Sequence, residues 1–285
     1  MKKTETKGKK SAMSIVLLVT AAIIWGSSFV VVKDSLDYIT PIWQLALRFS
    51  VAAVPAVVLA IIRRKQWNKK TVVRSLVLGV IFFLAVLFQN LGANLSSASK
   101  ASFLTGTYVA FLPVIELIFI RRKITLKKGL SAFICLCGTG VLTIEKGLRF
   151  QTGDIFLLLC GIMYAVHLMY IDISDCDGVL LHSGQIITAA VLAVITALIF
   201  EPVPVHVNLR CMLGIVYCGI FEVFLGFFFQ LVGQKNTNPS LAAIILSMES
   251  LFGLIFSVIF LGDVMSPRII IGGLLIVFAA IFNGV

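Results

Sequence analysis

Ten apolar runs of 17 to 23 residues take up most of this 285-residue chain, and only 6 to 10 residues separate one from the next. They fall at 13–32, 42–62, 72–92, 101–120, 128–145, 154–171, 179–200, 211–233, 240–261 and 268–284. A helix rises ~1.5 Å per residue, so runs of this length cross a hydrocarbon layer of about 30 Å. The connections leave no room for an inserted soluble domain. Charged residues are only 13% of the chain, where a soluble domain carries roughly 25%. The expected fold is all-α and integral to a membrane, with ten transmembrane helices. The first run is too long for the apolar core of a cleaved leader and is expected to be a retained anchor.

Charge supplies the orientation. Residues 1–145 hold 19 Lys/Arg against 5 Asp/Glu, and residues 146–285 hold 5 against 8. The basic residues gather in "MKKTETKGKK", "RRKQWNKK" with Arg74, and "RRKITLKK". These segments alternate with the runs so as to share one face, and with Lys235 they hold 17 of the 24 basic residues. The positive-inside rule then places both termini in the cytoplasm of a multi-pass plasma-membrane protein. Because the clusters flank spans and no aromatic-basic surface accompanies them, a nucleic-acid partner is not expected. The six cysteines, none in a Cys-x-x-Cys pattern, read as small buried apolar residues.

The chain also repeats itself. Shifted by 141 residues, "FLAVLFQNLGANLSSASKA" (83–101) aligns with "FLGFFFQLVGQKNTNPSLA" (224–242) at seven positions, including Gln89/Gln230 and Gly92/Gly233. The expected organisation is a basic tail at 1–12, a five-helix repeat at 13–145 and a second at 146–285, forming one integrated membrane domain. An odd number of spans inverts the second copy across the membrane. Inverted repeats are the usual build of secondary transporters, with the substrate site between the halves at the midplane.

Polar groups inside the runs mark candidate positions for that site. Glu249 and Glu222 lie near the centres of their runs, where a carboxylate needs a proton, a partner or a hydrated cavity. At the repeat offset Glu249 falls opposite Tyr108. Gln89, Asn90 and Gln230 are either helix–helix glue or cavity lining. Trp25 and Ser28 match Tyr164 and His167 at an offset of 139, each pair at i, i+3 spacing. Arg48, seven residues beyond Pro41, either snorkels outward as an anchor or attracts a carboxylate substrate. Glu116 is expected to reach Arg121 or Arg122 at the interface. "DISDCDG" (172–178) reads as a solvated connection, since its spacing is not that of a calcium loop.

The segments "AAIIWGSSFVVVKDSL" (21–36), "QLALRF" (44–49), "SASKASFLTGTYVAFLPV" (97–114) and "GQKNTNPSLAAIILSMESLFGLIFSVIFLGD" (233–263), in this order and spacing, resemble the EamA-like transporters of the drug/metabolite transporter superfamily. The resemblance implies a ten-helix inverted-repeat carrier, most often an exporter of amino acids, metabolites or toxic compounds. Two departures stand out. Glu249–Ser250 replaces the family's usual Glu-Pro, which removes the proline expected to kink span 9. Glu222 stands where a small neutral residue is usual.

Other classes find less support. The three histidines form no His-Glu-x-x-His, no span contains Gly-x-Gly-Asp, and no Gly-rich nucleotide loop with Lys-Ser/Thr occurs. The residues thus point to a secondary active transporter without a cofactor or metal, rather than an embedded enzyme, with a channel or sensor as the alternative. The partners expected are a small-molecule substrate, the bilayer and protons as the coupling ion; the oligomeric state stays open.

Overall fold

The structure is a computed structural model of the chain and describes residues 2–96, 98–143, 151–204, 207–256, 258–259 and 267–284. Its regular elements are helical throughout. In chain order they are α1 (Lys2–Ser35), α2 (Pro41–Ile62), α3 (Lys69–Asn94), α4 (Ala98–Gly106), α5 (Tyr108–Ile120), α6 (Leu126–Thr143), α7 (Thr152–Ile173) and α8 (Gly178–Phe200). There follow α9 (Leu209–Tyr217), a π-helical segment (Cys218–Gly226), α10 (Phe227–Gln234), α11 (Pro239–Leu246), α12 (Glu249–Phe256) and α13 (Pro267–Gly284). A short 3₁₀ turn, Arg64–Gln66, lies between α2 and α3.

Helix starts follow capping chemistry. Asn68, Asp177, Asn208 and Asn238 each accept a hydrogen bond from a first-turn amide, and prolines open α2, α11 and α13. Among the described residues seven helical stretches are long and apolar enough to cross a membrane, and Ala12–Ser28 and Ile270–Asn283 are shorter apolar helices. The expected count of ten is therefore met only in part. The expected end of span 128–145 lies outside the described residues. The backbone of the expected basic tail continues α1 back to Lys2.

Spans 4 and 9 are each broken, and span 8 carries the π segment, none of which hydropathy shows. At the break between α4 and α5, the Thr107 hydroxyl donates to the Leu104 carbonyl. Between α11 and α12 the Ser247 hydroxyl donates to Ile244 O at 2.7 Å, and Met248 N–H bonds back three residues to Ile245 O at 3.1 Å. Such short-range bonds tighten the turn and interrupt the regular ladder. Span 9 thus breaks beside Glu249 without a proline. The residues that resume the helices are the pair that the repeat sets opposite one another: Tyr108 opens α5 and Glu249 opens α12.

Packing follows the repeat. The helices α2 and α8 lie against each other, as do α6 and α13; α3 runs along α7, and α1 along α10 and the π segment. Glycines permit matching close approaches. A Cβ at Gly79 would stand 2.8 Å from Gln185 O, and one at Gly219 would stand 2.8 Å from Arg48 O. A Cβ at Gly92 would meet Gly153 O at 2.9 Å, and one at Gly233 would meet Ser14 O at 2.9 Å. The core divides into two large clusters, and Trp25 and Tyr164 pack against both. Side chains such as Val54, Ile118, Phe119, Phe133 and Leu198 point outward, the surface a lipid-embedded bundle presents.

Candidate functional site

The seam bridged by Trp25 and Tyr164 holds a cavity; the empty space along its lining, open solvent included, is about 830 Å³. Both broken helices reach it, through Tyr108 at the start of α5 and Glu249 at the start of α12. The first repeat also supplies Trp25, Ser28, Gln89 and Asn90; the second supplies Tyr164, Glu222 and Gln230. Nine of the eleven residues singled out from the sequence therefore share one wall.

The other two stand behind it. His167 is fully buried, hydrogen-bonded through Nε2 to Gln185 Oε1 at 2.9 Å, with its ring against Phe82 and Phe227. Phe227 lines the cavity and screens it. Arg48 is also fully buried, so it neither snorkels nor offers a free guanidinium to an anion. Its Nη1 donates to both oxygens of Glu222, at 2.8 and 3.0 Å, and its Nη2 donates to Asn90 Oδ1 at 2.8 Å. Asn90 passes the network on, donating to Gln44 Oε1 at 2.8 Å and to Pro41 O at 3.0 Å; the Gln44 amide donates to the Ser35 hydroxyl. A buried charge is tolerable only when paired and hydrogen-bonded, and this network meets both conditions for Arg48 and Glu222.

Glu222 owes its place to the π segment, whose wider turn alters which residues face inward; such segments recur at functional sites. The backbone carbonyl of Glu222 accepts the Trp25 indole N–H at 3.2 Å. Trp25 in turn lies against the Phe227 ring, centroids 4.6 Å apart. Tyr164 stacks on Phe227 at 6.4 Å, meets Tyr108 edge-on at 6.3 Å and donates to Gln89 Oε1 at 3.3 Å.

Glu249 differs from Glu222. It is 5% exposed, and among the described residues its carboxyl has no hydrogen-bond or ion-pair partner. The Tyr108 hydroxyl and Gln230 Oε1 are likewise buried without hydrogen-bond partners. Glu249 is the first residue of α12.

Sequence reasoning missed Phe227 and Gln44. Phe227 is three residues before Gln230, and Gln44 four before Arg48, so the helical spacing rule reaches both. Glu116 meets expectation, pairing with Arg122 at 2.6 Å. The 172–178 connection reaches solvent as expected, with the Asp175 side chain 98% exposed, and adds ion pairs at that surface: Asp172 with Arg122 at 2.8 Å, Asp175 with Lys70 at 3.1 Å and Asp177 with Arg63 at 3.4 Å. It is stitched by ion pairs to the basic loops of the first half.

An all-helical, multi-pass membrane bundle with a cavity between two like halves belongs to the class of membrane transporters. The EamA-like transporter family matches the chain twice, over residues 12–144 and 151–285, and the chain belongs to that family. It is 29% identical over 281 residues to an uncharacterized transporter of Archaeoglobus fulgidus, covering 96% of this chain and 87% of the other. An uncharacterized transporter of Bacillus subtilis, YoaV, is 22% identical over 91% of this chain and 92% of its own. A S-adenosylmethionine/S-adenosylhomocysteine transporter of Chlamydia muridarum is 25% identical over 52% of this chain and 50% of its own. A solved crystal structure shares the fold at a TM-score of 0.79, with 17% identity over 95% of this chain and 96% of that one.

Proposed function

We propose that this membrane transporter is a secondary active exporter of amino acids, small metabolites or toxic compounds, coupled to protons and working by alternating access. In this reading α6 is the tenth crossing, residues 13–145 and 146–285 are inverted five-helix halves, and both termini lie in the cytoplasm of the plasma membrane. The carrying observation is the pair of broken helices that open at Tyr108 and Glu249 onto one cavity.

The cavity is lopsided, which supports alternation. Its lining includes Val32 and Ala93, near the ends of α1 and α3. Their counterparts at offsets of 139 and 141, Ile171 and Gln234, are 0% and 1% exposed. The end near Ile171 is the one held by the 172–178 ion pairs. One conformation with one end open and its repeat equivalent closed is what an inverted-repeat carrier adopts between its two states.

Glu249 is the proposed proton carrier, with Glu222 held in reserve by Arg48; Ser28, Gln89 and Gln230 supply polar contacts to the substrate, while the Asn90 amide is committed to Arg48, Gln44 and Pro41. Arg48 and His167 support the wall from behind. The test is flux in proteoliposomes, screened with amino acids and toxic analogues under an imposed pH gradient. Accumulation should collapse with a protonophore and in Glu249→Gln. Gradient-driven accumulation by Glu249→Gln equal to that of the parent would remove Glu249 from coupling.

A further inference from the structure

The cavity's charges do not balance, and the imbalance says what kind of molecule fits. Glu222 is matched by Arg48. Glu249 is left over: it is 5% exposed, it faces the cavity, and among the described residues no cation or donor meets its carboxyl. Among the described residues the lining contains no Lys or Arg, and the guanidinium behind it is engaged at Nη1 by both Glu222 oxygens and at Nη2 by Asn90. Among the described residues, an anionic group entering here meets a carboxylate and no free cation.

The rest of the wall suits a cation. Trp25, Tyr108, Tyr164 and Phe227 line the cavity, their rings paired at centroid distances of 4.6 to 6.4 Å. Aromatic faces carry the negative end of the ring quadrupole and attract ammonium-type centres, Trp most strongly, and more so where water is excluded. Gln230 Oε1, buried without a donor, is a further acceptor on the same wall.

We infer that the cavity takes an organic monocation, its ammonium-type centre set against Glu249 and its apolar body against Trp25, Tyr108, Tyr164 and Phe227. The inference rests on reading this cavity as the transporter's substrate site. It narrows the substrate classes above to molecules presenting a positive centre without a nearby compensating carboxylate.

The test uses the full chain in lipid nanodiscs and two probes of like ring and opposite charge, benzyltrimethylammonium and benzenesulfonate, followed by calorimetry. The ammonium should bind saturably and the sulfonate about tenfold or more weaker. Glu249→Gln, with a thermal midpoint like the parent's, should weaken ammonium binding by about tenfold to a hundredfold, since it removes one member of a buried charge pair. Glu249→Asp should recover part of the loss. Should Glu249→Gln fail to accumulate, the Asp variant and the parent's choice between the two probes decide. Equal or tighter sulfonate binding, no saturable ammonium binding, or a folded Gln variant that binds the ammonium like the parent overturns the inference. Counterflow of screened compounds in proteoliposomes separates the two readings. Counterflow without ammonium binding sinks the cation site and leaves the transporter reading standing. Ammonium binding with no counterflow of any compound does the reverse.

Discussion

Arg48 on α2 grips both carboxylate oxygens of Glu222 in the π segment, at 2.8 and 3.0 Å, with the guanidinium fully buried. The pair joins the first half to the second through the bundle interior. Removing one member leaves the other buried without its counter-charge, which costs about 3–5 kcal/mol, while replacing both with apolar groups is often neutral. Arg48→Gln and Glu222→Gln should each lower the thermal midpoint and membrane accumulation markedly. The double variant Arg48→Met/Glu222→Leu should return most of that loss. A single variant as stable as the parent, measured by thermal unfolding in detergent, would show that the pair is not holding the halves together.

Much of the architecture was legible in the sequence, because a membrane helix announces itself by length and hydropathy, and the repeat by matched Gln and Gly residues. What escaped depends on contacts across the bundle. Nothing within span 8 marks Cys218–Gly226 as π-helical. Nothing in "QLALRF" says that its arginine faces a glutamate 174 residues away rather than solvent. Span 9 lacks the proline that would kink it in the resembled family, yet it breaks beside Glu249. The Ser247 hydroxyl bond to Ile244 O accompanies the break, but Ser27 and Ser75 make the same bond inside unbroken helices, so the residue type alone does not announce it.

The ion pairs of the 172–178 connection should differ in weight. Arg122 bonds Glu116, which is 2% exposed, and Asp172 together, so Arg122→Gln leaves a buried carboxyl without its donor. A loss of about 1–3 kcal/mol is expected, read as a lowered thermal midpoint. Lys70 and Asp175 are both exposed, and Lys70→Gln should leave the midpoint unchanged, as most exposed pairs do. The hydrogen-bonded Lys70 ammonium holds the Asp175 carboxyl below its ordinary pKa. That pair's small contribution is therefore present at neutral pH and fades only as pH falls through the lowered value. Equal effects of the two substitutions would contradict this ranking.

Orientation can be read directly. In the ten-span assignment 17 of the 24 basic residues fall on one side, so reporter fusions after residues 67, 125 and 285 should give a cytoplasmic signal, and one after 38 a periplasmic signal. A periplasmic signal at 67, 125 or 285 would overturn the assignment of both termini.

Val32 and Ile171 provide the test that separates a carrier from a channel. They are repeat counterparts at an offset of 139, each within one helical turn of its helix end, Ser35 in α1 and Ile173 in α7. Val32 lines the cavity and Ile171 is 0% exposed. In the proposed inverted arrangement they lie at opposite membrane faces. Alternating access requires that they exchange roles: when one end opens, its counterpart closes. Val32→Cys should react with a membrane-impermeant maleimide applied from the periplasmic side, while Ile171→Cys resists the same reagent from the cytoplasmic side, each read against the parent's own six cysteines. Substituting Arg122→Gln weakens the ion pairs at the Ile171 end, so it should raise labelling of Ile171→Cys and lower that of Val32→Cys together. A change of about 1.4 kcal/mol between the two states shifts their ratio about tenfold, enough to read as a change in labelling rate. If both cysteines label at full rate at once from their own sides, the cavity is continuous across the membrane and the chain conducts as a channel.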